Sequence, residues 1–60
     1  MLEKEISLFT GRIYLKSYKS TIIPIPGDMI TLSEHEVFKV ETRMLSAEND
    51  QKVLVFGDIQ

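Results

Sequence analysis

Arg12, Tyr14, Lys16 and Tyr18 occupy alternate positions of one stretch, with Ile13 and Leu15 between them. In an extended strand alternate side chains project from the same face, about 6.6 Å apart, so the four would form a row of interleaved cations and rings. Such a row suits a single-stranded nucleic acid, whose bases stack on tyrosines and whose phosphates meet basic groups. It suits a protein partner equally, because tyrosine and arginine are enriched among the residues that dominate interfaces. Ile22, Ile23 and Ile25 form a second candidate binding set, since three isoleucines in a loop either fold over a core or meet a partner.

Other chemistry finds little material. His35 is the single histidine, and any acid, base or nucleophile scheme would have to run through it with Ser33, Glu34 or Glu36. Adjacent residues of an extended segment point to opposite faces, so Glu34 and Glu36 are poorly placed to orient His35, which reads as a polar turn residue. The run Glu34, His35, Glu36 has no second spaced pair to complete a metal site, and Glu48, Asn49 and Asp50 lack the spacing and glycine of a calcium loop. Gly11, Gly27 and Gly57 are too far apart to form a phosphate-cradling loop. We therefore expect no catalytic residues, no metal, no cofactor and no small-molecule substrate; a chain of 60 residues rarely encloses the roughly 300 Å³ at which such pockets begin.

The elements that would carry these residues belong to one small domain spanning residues 1–60. Leu, Ile, Val and Phe together make up a third of the chain, well above the level of about 20% below which chains stay disordered. There is no cysteine and no tryptophan, hence no disulfide framework and no thiol chemistry. No apolar run approaches the ~18 residues of a membrane-spanning helix, and the start Met1, Leu2, Glu3, Lys4, Glu5 does not read as a signal peptide, so we expect a cytoplasmic protein without a membrane partner. The net charge of −2 disfavours a dedicated nucleic-acid binder, although charge is unevenly spread. Residues 11–20 carry Arg12, Lys16 and Lys19 with no acid, whereas Asp28, Glu34, Glu36, Glu41, Glu48 and Asp50 follow with only Lys39 and Arg43 among them.

Strand signals dominate. Ile6, Ser7 and Leu8 alternate before Phe9, Gly11 interrupts as a bulge or bend, and residues 12–19 alternate again. Pro24 and Pro26 make residues 20–28 an extended loop, because each fixes its own φ and lacks an N–H. Gly27 and Asp28 turn the chain into a short strand with Ile30 and Leu32 on one side. Residues 34–46 admit two readings. Ser33 with Glu36 resembles a helix capping box, and Val37, Val40, Met44 and Leu45 fit a helical stripe, which would give an α+β fold. As a strand, Phe38, Val40, Thr42 and Met44 share one face, opposite Lys39, Glu41 and Arg43; the β-favouring residues make this the preferred reading. Residues 46–51 read as the turn of a hairpin into the strand Lys52 to Phe56, which Gly57 and Asp58 end. Met29 and Met44 are expected to fill gaps in the core. Five short strands point to an all-β, partly closed barrel, which buries one face of each strand and limits free edges.

A proline-containing loop, then Pro26, Gly27, Asp28, Met29 and Ile30, a short turn, the strand Val37, Phe38, Lys39, Val40, Glu41, a polar hairpin and the closing Val53, Leu54, Val55, Phe56 resemble the small Src-homology-3-like (SH3-like) barrels of bacterial and phage proteins of unknown function. The resemblance spans roughly residues 12–58. It implies a five-stranded barrel that binds another protein, a peptide or nucleic acid, or assembles with itself. The tryptophan-containing groove with which members read proline-rich ligands has no counterpart here. The Gly27 to Ile30 stretch also resembles the KOW type of ribosomal and transcription-factor barrels, whose second glycine turn is replaced by Ser33 to Glu36. The expectation is a binding module acting by contact with another protein or, as a homo-oligomer, with itself. The alternative is a single-stranded nucleic-acid module using the Arg12, Tyr14, Lys16 and Tyr18 face.

Overall fold

A computed structural model describes residues 2–60. It is all-β: β1 (Lys4–Thr10), β2 (Ile13–Ser20), β3 (Met29–Ser33), β4 (Glu36–Leu45) and β5 (Lys52–Ile59). They form one curled sheet, a half-barrel, in the order β2-β1-β5-β4-β3. The central pair, β1 and β5, is parallel, with Ile6 beside Val53 and Leu8 beside Val55, and every other pair is antiparallel.

The concave face holds the core. Ile6, Leu8, Phe38, Val40, Val53 and Val55 are each at most 1% exposed, with Leu15, Tyr18, Ile23, Ile30 and Leu32 packed around them. The period-two alternation of β1 and β5 places these apolar residues on one side and Ser7, Phe9, Leu54 and Phe56 on the other. Residues 36–45 form a strand, so the helical reading of 34–46 is overturned. Phe38 and Val40 reach the core by pairing with Ile59 and Gly57, a tertiary constraint that outweighs the capping-box pattern.

Four local features differ from the sequence expectation. Gly11 neither bends nor bulges a strand: at φ 59° it sits with Arg12 in the two-residue turn joining β1 to β2. The bulge lies in β2 instead, where Leu8 pairs with Lys16 but Phe9 pairs with Tyr14, leaving Leu15 as the extra residue. A second bulge at Glu41 splits β4, because Val40 pairs with Gly57 and Thr42 with Phe56. Thr42 and Met44 therefore leave the face of Phe38 and Val40, and Met44, like Met29, is more than half exposed rather than core. Gly57 does not end β5 but lies buried inside it. A Cβ there would overlap the Lys39 carbonyl and come within 2.9 Å of Phe38 Cζ, so the strand passes β4 at a distance only glycine allows.

The loop between β2 and β3 is fastened by a turn over residues 25–28. The Asp28 N–H donates to the Ile25 carbonyl at 3.0 Å, the Ile25 N–H donates to Asp28 Oδ2 at 3.0 Å, and Gly27 takes φ 98° after Pro26, as a turn with glycine at its third position requires. Gly27 N–H to the Val40 carbonyl and Val40 N–H to the Asp28 carbonyl, both 2.9 Å, tie this turn to β4.

Candidate binding interface

Cross-strand partners share a face, so the register assigns each candidate side chain to one side of the sheet. Tyr18 pairs with buried Ile6 and Lys16 with buried Leu8, placing both on the concave side. Tyr14 pairs with Phe9 on the convex side. The expected single row of Arg12, Tyr14, Lys16 and Tyr18 is thus divided by the bulge at Leu15, which reverses the alternation, and Arg12 stands in the preceding turn.

On the convex side Tyr14 joins an aromatic group. Its ring meets Phe9 edge-on at 5.6 Å, Phe9 stacks on Phe56 at 5.4 Å, and the Tyr14 hydroxyl and Ser17 Oγ lie 2.7 Å apart. Ser7 and Ser17 hydroxyls form a hydrogen bond at 3.0 Å in the next row, which continues through Leu54 to Met44. Beyond it the third row alternates Lys19, Glu5 and Lys52. At the far end Glu41 and Asp58 share a carboxyl hydrogen bond, which, with the negative charge of Asp58, holds the Glu41 carboxyl above its ordinary range.

On the concave side Lys16 and Tyr18 line an opening of about 260 Å³ between the two free strands, β2 and β3, with Ile30, Thr31 and Leu32 opposite and Leu8 as its floor. No Cα of β2 lies within 8 Å of one in β3, whereas paired strands stand about 4.8 Å apart. The two edges therefore face each other unpaired, bridged by Lys16 Nζ donating to the Leu32 carbonyl at 3.5 Å. Burial pushes the Tyr18 phenol above its ordinary value, and the Asp28 carboxylate adds to the shift.

The isoleucine loop divides as well. Ile23 packs on the core beside buried Pro24, while Ile22 and Ile25 are 75% and 50% exposed. His35 is exposed in the turn between β3 and β4. Among the described residues no three His, Asp or Glu side chains are grouped to hold a metal, and no helix is long and apolar enough to cross a membrane.

Sequence reasoning missed Phe9, Leu54 and Phe56 as one convex cluster, and Ile30, Thr31 and Leu32 as the second wall of the opening. Both groups depend on pairings that join distant segments. Comparisons with protein-family models, with curated proteins and with solved structures find no match.

Proposed function

We propose that this chain is a non-enzymatic binding module, a small SH3-like barrel that works through contact with another protein or with a further copy of itself. The opening between β2 and β3 carries this reading: two strand edges with unpaired backbone groups flank an apolar floor and present Tyr18 and Lys16 beside Ile30 and Leu32. Free edges are templates for adding a strand, where main-chain hydrogen bonds give affinity and side-chain pockets give selectivity. The nucleic-acid alternative has less support, since the row it relied on is divided at Leu15.

An amide NMR titration of the labelled protein tests the reading, with a protein concentration series, a pool of extended peptides of alternating apolar and polar residues, and short single-stranded oligonucleotides at two salt concentrations. Shifts along β2 and β3 that follow protein concentration or peptide are expected. Salt-sensitive oligonucleotide shifts centred on Arg12, Tyr14, Lys16 and Tyr18 would overturn it, as would an opening that responds to nothing.

A further inference from the structure

The two free edges carry opposite charge. Beside β2 stand Arg12 before the strand and Lys16 and Lys19 within it, while β3 is bracketed by Asp28 before it and Glu34 after it. The pairings fix directions: β2 runs against β1, β1 along β5, β5 against β4 and β4 against β3, so β2 and β3 are antiparallel. Laid side by side, the start of β2 meets the end of β3. Arg12 then comes close to Glu34, and the end of β2 that carries Lys19 on its outer face meets the turn at Asp28. The spans also agree, about 23 Å from Arg12 to Lys19 and about 20 Å from Asp28 to Glu34 at roughly 3.3 Å per residue.

Within one chain the edges are held too far apart to pair. Two copies with openings facing, related by a twofold axis along the strands, meet the requirement at both edges. We infer that the partner closing the opening is a second copy of this chain, with β2 of each copy pairing antiparallel with β3 of the other. The inference rests on the binding reading above and names its partner. Joining like edges is disfavoured, because antiparallel β2 on β2 sets Arg12 near Lys19 and β3 on β3 sets Asp28 near Glu34. The cross-pairing makes a twofold, ten-stranded closed sheet with no free edge.

Sedimentation equilibrium and isotope-filtered NOE measurements on mixed labelled and unlabelled protein test this. The expected result is a mass approaching twice 6.9 kDa with rising concentration, and intermolecular contacts between β2 and β3. Arg12→Glu and Glu34→Lys, both in exposed turns, should each weaken the dimer about tenfold, since each acts at two symmetric places and exposed pairs are individually modest. The double variant, Arg12→Glu with Glu34→Lys, should restore association. Far-UV circular dichroism checks that all three variants retain the wild-type sheet. A chain that stays monomeric at ~1 mM, while the peptide pool shifts the opening, overturns the second copy and leaves the binding reading standing. A dimer without β2 to β3 contacts, or one indifferent to both charge reversals, overturns the inference too. A monomer whose opening also ignores peptide removes both.

Discussion

Replacing Gly57 with alanine puts a methyl group where β5 passes the β4 bulge. The new carbon overlaps the Lys39 carbonyl, which is backbone and cannot rotate away, and meets Phe38 Cζ at 2.9 Å in the most buried part of the core. Relief requires β5 to move from β4, loosening the pairing of Val40 with Gly57 and of Lys39 with Asp58. Overpacking of this kind costs about 1–3 kcal/mol, and the fixed obstacle argues for the upper end. A 60-residue domain has only about 3–9 kcal/mol of total stability. The loss should lower Tm by roughly 10–20 °C. Urea and thermal unfolding followed by far-UV circular dichroism would measure it, with Gly11→Ala as the control: a Cβ at Gly11 meets nothing within 4 Å, leaving only the φ of 59° to cost about 1 kcal/mol. A Gly57→Ala variant that melts within a degree or two of wild type, or above Gly11→Ala, would refute the close crossing and with it the continuation of β5 past Phe56.

Three further outcomes are expected. Phe38→Ala, which empties the largest fully buried position, should cost about 3–5 kcal/mol, a large part of the total stability, and lower the urea midpoint accordingly, as read by urea titration. Tyr18 should titrate above its ordinary value of 10.0 in an ultraviolet pH titration; because the fold favours the neutral phenol, its contribution is fully present below that value and is lost as pH rises through the elevated pKa. The Glu41 carboxyl, raised from 4.5, follows the same sign: its favourable contribution is present below 4.5 and disappears as pH rises through the elevated pKa. Glu41→Gln should therefore melt higher than wild type at pH 7, with the advantage shrinking in acid, and an advantage that grows in acid would contradict the shared hydrogen bond with Asp58.

The all-β class was legible because apolar and polar residues alternate with period two in four segments and the prolines confine the loop at residues 20–28. Ile30 and Leu32 turn inward together, as the short strand implied. What escaped the sequence was the phase. A bulge arises where two strands with separate twists are forced into register, and nothing in Leu15 or Glu41 alone announces it. One extra residue transfers everything beyond it to the other face. Tyr14 thereby parts from Lys16 and Tyr18, and Met44 leaves the core for a place beside Leu54. The opening was equally hidden, since its walls, β2 and β3, are consecutive in sequence yet lie at opposite ends of the sheet order.

The parallel pairing of β1 with β5 also dictates when the chain can fold. The strand that begins at Lys4 finds its central neighbour only in residues from Lys52 onward, so two thirds of the core, Ile6 and Leu8 against Val53 and Val55, stays unformed until β5 has been synthesised and released. The hairpins β1–β2, β3–β4 and β4–β5 close locally and early, but each alone is marginal in water. Closing the long loop between β1 and β5 should therefore set the folding rate, slow for so small a chain, and loss of the last eight residues should abolish the fold rather than weaken it.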